Sequence, residues 1–355
     1  MARMHTTATR RPTERALNAV AGVVCLVASG LASDSHAQVV PVDVAPSPPP
    51  QAAQYDATTR AEVERVDARR SAAVVRSPEA DAGLVHALRL EHAPFPGQSA
   101  PGAIVYVPPG LAPGDRLSVV VFVHGWDGCA AAVSSDVSVP CREGGPRRGA
   151  LGLVTAFRAA GVRALLVVPQ MAFERRSSSP GQWSRPGVFR LFLQEVLDAL
   201  VTKVGSQRVD DLGRVVLAAH SGGYVSALTV LDKGGVPVDQ MALFDAFYTG
   251  VAQVAQWVEG NVVRFDAAHP RPMRFVSAFR DSETGSASRA LARRVQGAFE
   301  AAGRGGDVLL RARTVARLTE AEARRTVCLV RVPGDHQQAV RWNFTAMLRA
   351  ANLPM

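Results

Sequence analysis

Lysine is nearly absent from this chain. Lys203 and Lys233 are its two lysines, and every other basic side chain among the 40 Lys+Arg is arginine, set against 31 Asp+Glu in 355 residues. A formal net charge of +9 would suit a nucleic-acid partner if the cations were gathered on one element, but here they are scattered among acids. The arginine bias reads as the codon composition of a GC-rich genome, and no nucleic-acid partner is expected. Cysteine is scarce too: there are four, and none stands in a zinc-like spacing. A phosphate-cradling glycine loop and a dinucleotide fingerprint are also missing. The sequence therefore gives no grounds to expect a metal or any other cofactor.

A long membrane-crossing run is lacking as well. The most apolar stretch, Ala16 to Ala32, is interrupted by Gly30 and falls short of the ~20 residues that a spanning helix needs. It follows Arg3, Arg10, Arg11 and Arg15, and it precedes Ser35-His36-Ala37, a small-x-small pattern before Gln38. Positive region, apolar core and small-residue cleavage site are the three parts of a secretory signal peptide, read here as residues 1–37. Cys25, preceded by Val24 within the run, fits a lipoprotein attachment site poorly. Cleavage removes four arginines together with Glu14 and Asp34, leaving about +7. The mature protein is expected to be secreted or periplasmic, without a stable membrane anchor, and monomeric.

Three cysteines survive cleavage. Cys129 and Cys141 bracket "CAAAVSSDVSVPC" in a chain bound for an oxidising compartment, so a disulfide is expected there, contributing roughly 3 kcal/mol by loop closure. Cys328 lies in an apolar run and reads as a small core residue.

What the chain does contain is globular composition, 47% hydrophobic and 20% charged. Residues 38–82 divide into a Pro/Ala-rich leader ("PVDVAPSPPPQAAQ") and a charged stretch able to form a short exposed helix. From residue 83 to 355 the pattern becomes regular. "LVHALRL" and "GAIVYVPP" read as two early strands, and "RLSVVVFVHG", "VRALLVVPQ", "RVVLAAH", "DQMALFDAFY", "MRFVSAFR" and "TVCLVRVP" as buried ones. Between them lie helical patterns: residues 149–161, residues 188–205, a segment to about Asp232, Val251 to Val258, a helix capped by Ser286 or Ser288, and a last helix from Gln337 to Ala350. Repeated strand–helix units predict one open, mainly parallel sheet flanked by helices in three layers. In such sheets chemistry collects at the carboxyl ends of the strands.

Those ends carry His124-Gly125-Trp126, Ala219-His220-Ser221-Gly222-Gly223, Asp245, Asp281 and His336. In "VVLAAHSGGYVSAL" a serine sits between a buried strand and a helix with small residues on both sides. Such a turn holds a nucleophile up in strained backbone and needs small neighbours two residues away. Ser, Asp and His follow in that order along the chain. On these residues, from about Leu84 to the C-terminus, the sequence resembles the α/β-hydrolase superfamily, with Ala219 where that superfamily usually has the elbow's first glycine.

The resemblance implies Ser221 as nucleophile and His336, in "VPGDHQQAV", as general base. Asp281 follows the strand that most often carries the acid in the superfamily. Asp245 is favoured over it, because a carboxylate flanked by "LF" and "AFY" is costly to bury unless the histidine's second N–H meets it. Gly222 and, after the "HG" pair, Trp126 would supply the two oxyanion-hole N–H groups. His220 reads as a packing residue and His124 as a loop brace. The polar loop "MAFERRSSSPGQWSRPG" offers Phe173 and Trp183 as walls over a small-molecule or polymer acyl substrate. The function expected is an exported serine hydrolase cleaving an ester, or else a thioester or amide. An acyltransferase on the same site, or a non-catalytic binding protein on the same fold, are the alternatives.

Overall fold

The computed structural model describes residues 83–98, 101–173, 175–280 and 283–355. The signal peptide and leader read in residues 1–82, and the alternative acid Asp281, lie outside them. Among the described residues, nine strands form one sheet. Counted along the chain, its strands are β1 (Leu84–Leu88), β2 (Ala103–Val107), β3 (Val119–Val123), β4 (Leu165–Pro169) and β5 (Val215–His220). The rest are β6 (Gln240–Phe244), β7 (Arg274–Phe279), β8 (Val308–Arg311) and β9 (Val327–Arg331). Their spatial order is β1-β2-β4-β3-β5-β6-β7-β9-β8. Strand β2 pairs antiparallel with both neighbours, and every other pairing is parallel.

Among the described residues, the six helices of seven or more residues that pack on this sheet are α1 (Leu153–Ala160), α2 (Val188–Ala199), α3 (Tyr224–Lys233), α4 (Val251–Glu259), α5 (Glu283–Ala301) and α6 (Phe344–Ala350). They cover both of its faces, which is why its inner strands read as unbroken apolar runs. Side chains alternate between faces with period two. Val119, Val121 and Val123 of β3 join a core completed by residues of α2, α3, α4 and α5. Val120 and Phe122 join the opposite core, completed by α1 and α6. The two cores on either side of one sheet make the three layers.

Several elements differ from the sequence reading. The last helix is broken: Gln338–Arg341 and Phe344–Ala350 are separate, because Asn343, fully buried, accepts from the Leu318 N–H at 2.7 Å and donates to the Ala339 carbonyl at 2.8 Å. Helix α5 begins at Glu283, ahead of both proposed serine caps, and Ser288 is buried against Ser277 of β7 instead. Edge strand β8, four residues with no fully buried position, carries no alternation by which a sequence could announce it.

Cys129 and Cys141 are joined by a disulfide. On either side of Cys141 the chain forms a small ribbon in which Val139–Pro140 pairs with Arg147–Arg148. Cys328 of β9 is buried and unbridged.

Two buried histidines tie strand ends to neighbouring loops. His124, just after β3, donates from Nδ1 to the Gly125 carbonyl at 2.8 Å, while its Nε2 accepts from the Met171 N–H at 3.1 Å and the Gln170 amide at 3.2 Å. Burial pushes its pKa down to about 4. His220, the last residue of β5, donates from Nε2 to the backbone carbonyl of His336 at 2.9 Å. Burial, with the neighbouring His336, pushes its pKa down to about 3. Both are neutral in the folded protein, whereas in the unfolded chain they bind protons below about pH 6.5. Stability is therefore complete above that pH and declines as pH falls toward 4, by about 1.4 kcal/mol per histidine for each pH unit. Urea unfolding at pH 7.0, 6.0 and 5.0, a range in which most carboxylates stay ionised, should show this loss, and a flat profile would contradict it.

Candidate active site

Three residues near strand carboxyl ends carry left-handed backbone without being glycine: Asp127 at φ 54°, Ser221 at φ 53° and Asp245 at φ 44°. Each such residue costs about 1–3 kcal/mol and persists only where the surroundings over-determine it. Ser221 stands between β5 and a single 3₁₀ turn, Ser221–Gly223, that leads into α3. The turn is tight enough to need its glycines. A Cβ on Gly223 would lie 2.5 Å from the Val123 carbonyl oxygen, and one on Gly125 would lie 2.6 Å from the Ser221 Cβ. Ala219, two residues before the serine, is fully buried, so alanine fits where a glycine is more usual.

Asp245 follows β6 directly and is 4% exposed. Its Oδ2 accepts from His336 Nδ1 at 2.7 Å. Its Oδ1 accepts from the Thr284 hydroxyl at 2.7 Å and from the Arg280 backbone N–H at 3.3 Å. Burial pushes this carboxyl up, but the hydrogen bonds from His336, Thr284 and Arg280 outweigh it and hold its pKa below the ordinary aspartate value. His336, in the loop after β9, is thereby fixed at one ring nitrogen, and its backbone carbonyl is fixed by His220, whose ring lies 4.3 Å away.

Ser221 and His336 line one cleft of about 290 Å³, together with Gly125, Trp126, Asp127 and the ribbon residues Arg147 and Arg148. Trp126 is 53% exposed, and its indole N–H donates to the Ser178 hydroxyl at 2.7 Å. Gly222 is buried in the turn behind Ser221. The polar loop after β4 docks on this region: Asp127 donates its N–H to the Arg175 carbonyl at 3.2 Å and accepts from Arg176 Nε at 3.1 Å.

The two proposed substrate walls are not in the cleft. Trp183 is fully buried, edge-on to Phe189 and Phe192 of α2 at 4.9 and 5.0 Å, with its indole N–H on the His92 carbonyl at 3.1 Å. A side chain of that size gains most by filling the core between loop and helix. Phe173 is half-buried, with its backbone N–H on Gln98, and it too is not among the residues lining the cleft.

Sequence reasoning passed over three contributors. Thr284 lay in what read as a polar turn. The backbone role of His336 as an acceptor for His220 leaves no trace in residue type. Tyr248, three residues beyond Asp245, is half-buried near Ser221, and burial together with the Asp245 charge raises its pKa. The one available signal was its place in "DAFY", on the loop that carries the acid. Among the described residues no cluster of three or more His, Cys, Asp or Glu could hold a metal ion. Likewise, no described helix is long and apolar enough to cross a membrane.

No protein-family model and no curated protein matches the chain. Solved structures similar to it include a variant of the feruloyl esterase module from Clostridium thermocellum in complex with sinapinate, at TM-score 0.46 and 12% identity over 77% of this chain and 89% of that one. An S-formylglutathione hydrolase from Agrobacterium tumefaciens is similar at TM-score 0.42 and 13% identity, over 77% and 95%. Brefeldin A esterase, a bacterial homologue of human hormone-sensitive lipase, is similar at TM-score 0.35 and 15% identity, over 84% of each chain. The assignment itself comes from the topology: the second strand alone runs against the others, and the elbow follows the fifth. The chain has the α/β-hydrolase fold.

Proposed function

We propose that this protein is a serine hydrolase that cleaves an ester through an acyl-enzyme on Ser221. One observation carries the reading: a serine held in left-handed backbone shares a cleft with a histidine whose far nitrogen is bonded to a buried carboxylate at 2.7 Å. With Nδ1–H committed to Asp245, the proton-free nitrogen of His336 is Nε2, the tautomer that a general base requires.

In this reading the proton of Ser221 Oγ is available to His336. Oγ attacks the ester carbonyl as Nε2 takes that proton, and the carbonyl oxygen becomes an oxyanion. The backbone N–H groups of Gly222 and Trp126 face it, the former at the opening of a helix where N–H groups lack intrahelical partners. Collapse expels the alcohol, which leaves with the proton from His336. Water then attacks the acyl-enzyme, giving its proton to His336. The acid is released as Ser221 Oγ recovers the proton. Asp245 stays ionised throughout, its charge stabilising the transient imidazolium. Thr284 and Arg280 keep its other oxygen occupied.

Export belongs to the same proposal. Its supports are the three-part leader in residues 1–37 and the Cys129–Cys141 bridge, a bond that persists in oxidising compartments.

Replacing Ser221 by alanine should abolish labelling by a fluorophosphonate probe and lower turnover of an activated ester by on the order of 10⁴ to 10⁶ while the fold is retained. Undiminished labelling of that variant would refute the nucleophile. A second pair separates the acids. Asp245→Asn should cost about 10⁴ in turnover, because the amide favours the wrong histidine tautomer. Asp281→Asn should cost little, because asparagine replaces aspartate readily in a polar stretch such as "RDSETG". Rates of both variants on one ester decide the matter, and a crippled Asp281→Asn with an active Asp245→Asn would reverse the assignment.

A further inference from the structure

Trp126 is 53% exposed, and a side chain open to that degree ordinarily has several rotamers to choose from. Here the ring is held on two sides. Its indole N–H donates to the Ser178 hydroxyl at 2.7 Å. Its pyrrole edge lies against the elbow: a Cβ on Gly222 would lie 2.3 Å from Trp126 Nε1, 2.5 Å from its Cδ1 and 2.7 Å from Ser178 Oγ. The Gly222 Cα, the indole and the Ser178 hydroxyl therefore meet at one point. There is room for that meeting only because residue 222 has no side chain.

The residues flanking Trp126 are tied to the same two elements, the elbow and the loop after β4. A Cβ on Gly125 would lie 2.6 Å from the Ser221 Cβ. Asp127, left-handed at φ 54°, gives its N–H to the Arg175 carbonyl at 3.2 Å and accepts from Arg176 Nε at 3.1 Å. The Arg176 side chain is 80% exposed, so its ion pair holds the segment weakly. Half-buried Ser178 is the residue of this loop that reaches the side chain of Trp126 and the elbow glycine together.

We propose that Ser178 is a positioning residue for the oxyanion hole: by holding the indole of Trp126 on Gly222, it fixes the separation of the two backbone N–H groups that meet the developing charge. This role rests on the hydrolase reading of Ser221, with Gly222 and Trp126 as the donors. Ser178 is not among the residues lining the cleft, so it acts through Trp126 and not on the substrate. Donors fixed in advance need no reorganisation when the charge appears. Their benefit is realised in the transition state and not in substrate binding.

The test is made on one activated ester. Ser178→Ala should lower kcat by about tenfold, the worth of one hydrogen bond, while KM stays within about twofold. Ser178→Thr, which keeps the hydroxyl, should restore most of the lost turnover. Affinity for a trifluoromethyl ketone, whose adduct on Ser221 places an oxyanion in the hole, should fall in Ser178→Ala by the same factor as kcat/KM. Trp126→Phe keeps a ring but loses the indole N–H, and the double variant should be no slower than Trp126→Phe alone, because both substitutions break the same bond. Full kcat in Ser178→Ala, a loss confined to KM, or a loss that adds fully to that of Trp126→Phe would overturn the positioning role and leave the hydrolase standing. Ester turnover undiminished in Ser221→Ala would overturn the hydrolase reading and this role with it. The division between kcat and KM in Ser178→Ala decides the question even if Trp126→Phe fails to fold.

Discussion

The hydrogen bond between Asp245 and His336 joins the ends of two strands that are not neighbours, since β7 lies between β6 and β9 in the sheet. A carboxylate that is 4% exposed is tolerated only when its charge is met by donors, and here three converge on it: an imidazole, a hydroxyl and a backbone amide. Remove the imidazole and the oxygen it meets on this buried anion keeps only the Arg280 guanidinium, 3.8 Å away. Remove the carboxylate and the histidine loses the contact that orients its ring. The loop after β9, Arg280 just after β7 and the start of α5 are all positioned around this one charge.

The nucleophile's side of the site is held by a different kind of constraint. Backbone strain at Ser221 is kept in place by close packing, with β3 and the glycine that follows it pressed against the elbow. The histidines on either side are neutral because they are buried, so they serve as ordinary donors and acceptors. His124 braces the turn after β3 against the end of β4, and His220 braces the base's loop against the nucleophile strand. The fold thus commits two of its histidines to placing the third.

The buried strands were legible because the sheet is covered on both faces, so that "VVVFV" and "VVLAAH" could scarcely be anything else. The serine was legible because its neighbours had to be small. "LFDAFY" announced a carboxylate inside apolar surroundings, and Asp245 is indeed buried. What could not be read depends on distant partners. Trp183 looked like a loop aromatic, yet α2 lies beneath it and takes it into the core. Thr284 meets Asp245 from 39 residues away, and nothing in "SETG" predicts that. Tyr248 comes near the serine by virtue of where β6 ends beside β5. Asn343 breaks a helix by bonding to Leu318, a choice invisible to helical periodicity.

The central claim is that Ser221 becomes acylated and that His336, held by Asp245, drives both halves of the reaction. The most direct test mixes the protein with an activated ester, quenches in acid within milliseconds, and maps the acyl mass to a peptide. The account predicts a transient adduct on Ser221 that decays as turnover completes and that accumulates slowly, if at all, in Asp245→Asn. Steady hydrolysis with no adduct on Ser221 at any time, or an adduct on another residue that forms and decays at the rate of turnover, would contradict it.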